Sequence, residues 1–248
     1  HNTAVGYSAG LSVTTGAYNT LVGGLTGDAI TDADYNVAMG YLALSANTLG
    51  SRSTAIGTVA LAAQNFTTAT DAYNTAVGYQ AGGSVTTGVQ NTFLGGLSGD
   101  ALTDADYNAG LGFGTLSTDT LGSKSTAVGY AALQNQNFTT ATDSFNTAVG
   151  YEAGNSVTTG IEDTLIGALA GDALTTGKEN VAVGYRSLSG DTQGKRSIAI
   201  GKDALRFQNF TTATETYNVA VGHAAGEAVT TSQSNTLVGG LAGDAITT

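Results

Sequence analysis

Polar and apolar residues along this chain follow a 17-residue beat, not the three-to-four-residue spacing of an amphipathic helix. In HNTAVGYSAG (1–10), Asn2 is followed three residues on by Val5 and then by Gly6. The same polar, x, x, apolar, Gly signature returns at Asn19, Asn36 and Ser53, and again at Asn74. Those steps are 17, 17, 17 and 21 residues and sum to 72. A second block repeats them from Asn74 (Asn91, Asn108, Ser125) and a third from Asn146 (Asp163, Asn180, Ser197), while Asn218 and Asn235 open a fourth. All fourteen units fit [NSD]-x-x-[VILM]-G.

A 17-residue unit is too short for a helical pair or a propeller blade, which need roughly 34 and 40 residues. β-Branched residues and Gly-rich turns favour short strands. One coil of a parallel β-solenoid fits: each coil pairs with its neighbours about 4.8 Å away and stacks like side chains in columns. The expected fold is therefore all-β, a β-roll of fourteen coils. Residues 1–248 read as one repetitive segment, with super-repeats 1–72, 73–144 and 145–216 and a partial 217–248, belonging to a longer chain.

The columns carry their own expectations. The ladder residue is Asn in ten coils, Ser in three and Asp in one, which suits coil-to-coil hydrogen bonding at a corner. The column of Val5, Val22, Met39 and Ile56, ending at Val238, is expected in the core. The glycine after it, from Gly6 to Gly239, suits a turn of positive φ or a close backbone approach. Only Ala, Ser or Thr follows seven residues after the ladder residue, a mark of confined space.

Successive strand residues point to opposite faces, yet Ala4 and Val5, Leu21 and Val22, and Phe93 and Leu94 are apolar in pairs. If one face fills the coil, another copy of the chain is expected to cover the second. The small residues Ala4, Ala38, Ala55 and Gly110, with Ala127 in the same column, are assigned to that covered face.

The run G-x-x-[NS]-T-A-[VI]-G-x-x-A, as in SRSTAIGTVA (51–60) and YNTAVGYQAG (73–82), resembles the head repeats of trimeric autotransporter adhesins. It is similar also to segments of bacteriophage tail fibres. The resemblance spans essentially the whole chain. It implies a left-handed parallel β-roll, three chains around one axis, and attachment to surfaces outside the cell. The 17-residue period and 72-residue super-period depart from that family, and its neck, coiled-coil stalk and membrane anchor are not among these residues.

Composition narrows the partners. With 36 glycines, no cysteine, proline or tryptophan and few aromatics, the chain suits a thin stacked object without disulfides or thiolate metal sites. A net charge of −11 lacks the basic footprint that nucleic acid or an anionic membrane surface requires. No apolar run approaches a membrane-spanning length.

Few residues suggest chemistry. GDAITDADYN (27–36) and GDALTDADYN (99–108) gather Asp28, Asp32 and Asp34, and Asp100, Asp104 and Asp106, as a Ca²⁺ candidate. The third block reads GDALTTGKEN (171–180), which favours a solvated acidic turn and no cofactor. Thr pairs in VTTG and FTTAT are read as a hydrogen-bonded β-surface rather than an ice-binding array, and the NFT glycosylation pattern as coincidence. His1 and His223 are the only histidines, and His223 shares a column with Tyr7, Tyr79 and Tyr151. No unique constellation marks a catalytic site.

The fourth coil of each block has four extra residues, expected to bulge outward as a loop: QNFTTATDAY (64–73), QNFTTATDSF (136–145) and QNFTTATETY (208–217). Asn65, Phe66, Thr67, Asn137, Phe138, Thr139, Asn209, Phe210 and Thr211 are the candidate partner contacts, with the phenylalanines expected to anchor the loop on the coil. The expected function is a structural and adhesive extracellular fibre segment on a bacterial or virion surface, homotrimeric, with a surface polysaccharide or host receptor as partner. The alternatives are a filament of subunits stacked end to end and a polysaccharide-cleaving tailspike.

Overall fold

The computed structural model describes all residues, His1–Thr248. It is all-β, with twenty short strands and no helix. Two compact units are formed, His1–Lys124 with Thr139–Thr142, and Ser125–Phe138 with Asp143–Thr248.

In the first unit one three-residue strand per coil lies at Thr3–Val5, Thr20–Val22, Val37–Met39, Thr54–Ile56, Thr75–Val77, Thr92–Leu94 and Ala109–Leu111. All pair in parallel, with Val5 opposite Val22, Val22 opposite Met39 and Met39 opposite Ile56. The second unit repeats the arrangement at Thr126–Val128, Thr147–Val149, Thr164–Ile166, Val181–Val183, Ile198–Ile200, Val219–Val221 and Thr236–Val238. The expected parallel β-solenoid is therefore the fold.

The two faces of the strand are the reverse of the sequence expectation. Ala38, Ala55, Ala76, Ala127, Ala148 and Ala199 are fully buried, with Leu21, Phe93 and Leu165 in the same column. The Val/Ile/Leu/Met column points outward: Met39 is 42% exposed, Leu94 40% and Ile200 38%. The reason is the thinness of the coil. Its interior is filled from the opposite wall by Leu44, Leu61, Leu116, Leu133, Leu188 and Leu205, all fully buried, so the strand contributes small residues wherever those leucines enter.

This complementarity explains the 72-residue super-period. In the second coil of each block the strand supplies a large residue, and the opposite wall retreats to glycine. A β-carbon on Gly27 would lie 2.9 Å from Leu21 Cδ2, and one on Gly10 2.8 Å from Leu21 Cδ1. Gly154 and Gly171 stand in the same way against Leu165, at 2.6 and 2.7 Å. In the next two coils the sides exchange: Ala38 and Ala55 sit on the strand while Leu44 and Leu61 fill the coil. Four coils complete one cycle of volume.

Each coil also makes several left-handed turns. The glycine after the outward column has φ near +125° to +145°, and a β-carbon on Gly23 would lie 2.6 Å from the Gly40 carbonyl oxygen in the next coil. Other left-handed positions hold ordinary residues, such as Tyr18 (φ 62), Leu25 (φ 54) and Leu44 (φ 55). Such a conformation costs roughly 1–2 kcal/mol at a non-glycine residue. The costs are offset by ladder hydrogen bonds made at the same residues: the Leu25 and Tyr35 N–H groups donate to Tyr7 and Ala17 at 2.8 and 3.1 Å.

Candidate functional site

The ladder residues line a buried corner. Asn19 N–H donates to Asn2 Oδ1 at 2.8 Å, Asn36 N–H to Asn19 Oδ1 at 2.9 Å and Ser53 N–H to Asn36 Oδ1 at 2.9 Å. Asn91 and Asn108 extend the series from Asn74 at 2.9 Å each. In the second unit Asp163 N–H donates to Asn146, Asn180 N–H to Asp163, Ser197 N–H to Asn180, and Asn235 N–H to Asn218. The asparagine side-chain N–H closes the turn by donating to the carbonyl fourteen residues on, as from Asn19 to Ala33 and Asn146 to Gly160, both 2.8 Å. One side chain thus binds two coils.

Serine at every fourth rung makes room for a buried glutamine. Gln64 Nε2 donates to Ser53 Oγ at 3.0 Å, and Asn74 Nδ2 donates to Gln64 Oε1 at 2.9 Å. Gln136 bridges Ser125 and Asn146, and Gln208 bridges Ser197 and Asn218, at 2.8 Å throughout. Asn47 and Asp191 touch the glutamines, and Asn47, Asp119 and Asp191, all buried, accept the N–H groups of Gly50, Gly122 and Gly194 at 3.0–3.1 Å. Sequence reasoning missed these polar residues, although Gln64 occupies the slot that holds Val13 and Ile30 in other coils, a visible break in an apolar column.

The acidic turns do not converge on a metal site; no group of three His, Asp or Glu side chains is placed to hold an ion. Their carboxylates brace the preceding coil instead. Asp32 accepts from Thr15 Oγ1 at 2.5 Å and Asp34 from Ala17 N–H at 2.6 Å; Asp104 and Asp106 do the same for Thr87 and Val89. Asp28 and Asp100 stand apart, half-buried, with one oxygen of each unpartnered, and burial pushes the Asp100 carboxyl above the usual carboxylate range.

The long coils place their phenylalanines inward. Phe66 is 5% exposed, and Phe138 and Phe210 are 6% exposed, so none of the three rings is available to a partner. Asn65, Asn137 and Asn209 are tied to the next coil through N–H groups donated to Thr86, Thr158 and Thr230. Asn65 also accepts from Thr48 Oγ1 at 2.7 Å. Thr67, Thr139 and Thr211 are exposed, at the tips of the loops.

The largest outward-facing feature is the strand face and its two aromatic borders. On one border Tyr18 stacks on His1 and Tyr35 with ring centroids 5.4 and 5.0 Å apart, and Arg52 lies 5.0 Å from the Tyr35 ring while pairing with Asp71 at 2.9 Å. Along the corresponding column of the second unit, Arg196 pairs with Glu179 at 2.7 Å, also meets Glu215, and holds the Glu179 carboxyl below its usual range. The other border carries exposed Tyr7, Tyr41, Tyr79 and Phe113 in the first unit, and Tyr130, Tyr151, Tyr185 and His223 in the second. There is no pocket, so the candidate site is a surface. No protein-family model, curated protein or solved structure matches the chain.

Proposed function

We propose that this chain is a structural and adhesive segment of an extracellular fibre, in which three parallel copies associate through their outward strand faces. One observation carries the reading: in each unit the strand column turns apolar side chains outward, Met39, Ile56, Leu94 and Leu111 in the first and Ile166 and Ile200 in the second, between two bordering columns that carry aromatic residues. A contiguous apolar stripe of that kind is seldom left open on a soluble monomer. The number of copies and the setting on a cell or virion surface rest on the resemblance of the NTAVG repeats to trimeric adhesin heads and phage fibres. Such a segment holds binding surfaces away from the particle that bears it, and repeated weak contacts along it sum to firm attachment.

Sedimentation equilibrium at micromolar concentration tests the association. The expected mass is that of three chains, and the paired substitution Ile56→Asp and Ile200→Asp should reduce it to one without loss of β-structure. A folded monomer of the unaltered chain at that concentration overturns the proposal.

A further inference from the structure

Asp163 stands at a ladder position that is asparagine in ten coils, and it is fully buried. Its Oδ1 does the work of the asparagine oxygen, accepting from Asn180 N–H at 2.9 Å and from Asn180 Nδ2 at 3.1 Å. Its Oδ2 has no partner. In the neighbouring rungs, the atom in that place is an N–H donor aimed at the carbonyl fourteen residues on: Asn146 to Gly160 at 2.8 Å and Asn180 to Gly194 at 3.0 Å. For Asp163 that carbonyl belongs to Gly177. A β-carbon on Gly160 would touch both the Gly177 oxygen and, at 3.0 Å, Asp163 Oδ2, so the two oxygens border the same small space.

We propose that Asp163 is held as the neutral acid, its Oδ2–H donating to the Gly177 carbonyl, and that this coil is thereby a proton-dependent joint in the second unit. Two bare acceptors facing each other in a buried corner repel; one proton turns the contact into the hydrogen bond that asparagine makes elsewhere. When the proton leaves to solvent, the carboxylate keeps its bonds from Asn180 but confronts Gly177. The charged groups around it oppose ionisation. Glu162 on its own coil and Glu179 on the next both act against a second negative charge, and the cations near Glu179, Lys178 and Arg196, are paired with Glu179 itself. Burial is the largest influence, and together these push the carboxyl from 3.8 up to about 8.

The sign follows from linkage. The folded chain keeps a proton that the unfolded chain releases near pH 3.8, so Asp163 favours folding most below that pH. Its contribution is lost as the pH rises towards about 8.

Thermal melts of the unaltered chain and of Asp163→Asn across this range test the joint. The variant restores the common ladder residue and should fold. It is expected to melt higher than the unaltered chain at about pH 8, with the gap narrowing as the pH falls towards 4. Carboxyl infrared spectra should show a buried neutral acid at about pH 6 that is absent from Asp163→Asn. Asn91→Asp, the same rung in the first unit, should acquire a pH response of the same sign but smaller, because Gln90 and Tyr107 stand where Glu162 and Glu179 do. Parallel melting curves for the unaltered chain and Asp163→Asn, or an Asp163 carboxyl already ionised at about pH 6, overturn the proposal.

Discussion

The ring of Phe66 occupies the space into which a side chain at Gly50 would project: a β-carbon there would lie 2.6 Å from Phe66 Cδ2. In sequence, the same spacing of sixteen residues between a glycine and a phenylalanine returns in each block. The longer coil is therefore a packed device. Gly50→Ala should destabilise by about 1–3 kcal/mol through overpacking. Phe66→Ala should cost about 3–5 kcal/mol through the cavity it leaves. Urea unfolding measures both, and equal stability of Phe66→Ala and the unaltered chain would show that the ring packs nothing.

The two faces of one strand separate folding from association. Ala199 is fully buried and its neighbour Ile200 is outward. Ala199→Glu should abolish the fold, since an unpaired charge inside the coil costs several kcal/mol. Ile200→Glu should keep its circular dichroism spectrum and weaken only the assembly. The reverse result would restore the face assignment that the sequence suggests.

Left-handed positions should divide into two classes. Gly23→Ala forces a β-carbon against the Gly40 carbonyl, and the neighbour is backbone that cannot turn aside. A loss of about 3 kcal/mol or more is expected, from steric strain and the unfavourable φ together. Gln90, exposed with φ 57, already carries its strain. Gln90→Gly should leave stability within about 1 kcal/mol, because relief of strain and the greater freedom of the unfolded chain oppose each other. Calorimetric melting of the two variants checks the contrast.

At the loop tips, Thr67→Ala, Thr139→Ala and Thr211→Ala should each change stability by less than about 0.5 kcal/mol. If these tips make the adhesive contacts, the triple variant should lose attachment to surface polysaccharide or host cells while keeping its melting temperature. Undiminished attachment would place the contacts on another part of the fibre.

The solenoid was legible because the ladder residue and its glycine serve the same backbone geometry in every coil, so Asn19 and Gly23 must recur. Which apolar column faces inward was not. Ala38 and Met39 both satisfy an apolar pattern, and the choice depends on Leu44 entering from the other wall, a residue in another part of the coil. The bracing role of the acidic turns was hidden for a related reason. Spacing brings Asp32 and Asp34 together along the chain, but each is committed to a different group one coil back, Thr15 and Ala17. The buried glutamines stayed hidden because Gln64 is understood only with Ser53, whose small side chain admits it.

The exchange of volume between Leu21 and Leu44 also bears on how such a gene can change length. Losing residues 19–35 would keep every ladder rung in step, yet Gly10 would lose the leucine that fills its space. Losing or copying 72 residues instead returns each side chain to neighbours of the same size. Recombination between blocks is therefore tolerated in whole cycles of four coils, and relatives of this chain should differ in length by multiples of 72 residues far more often than by multiples of 17.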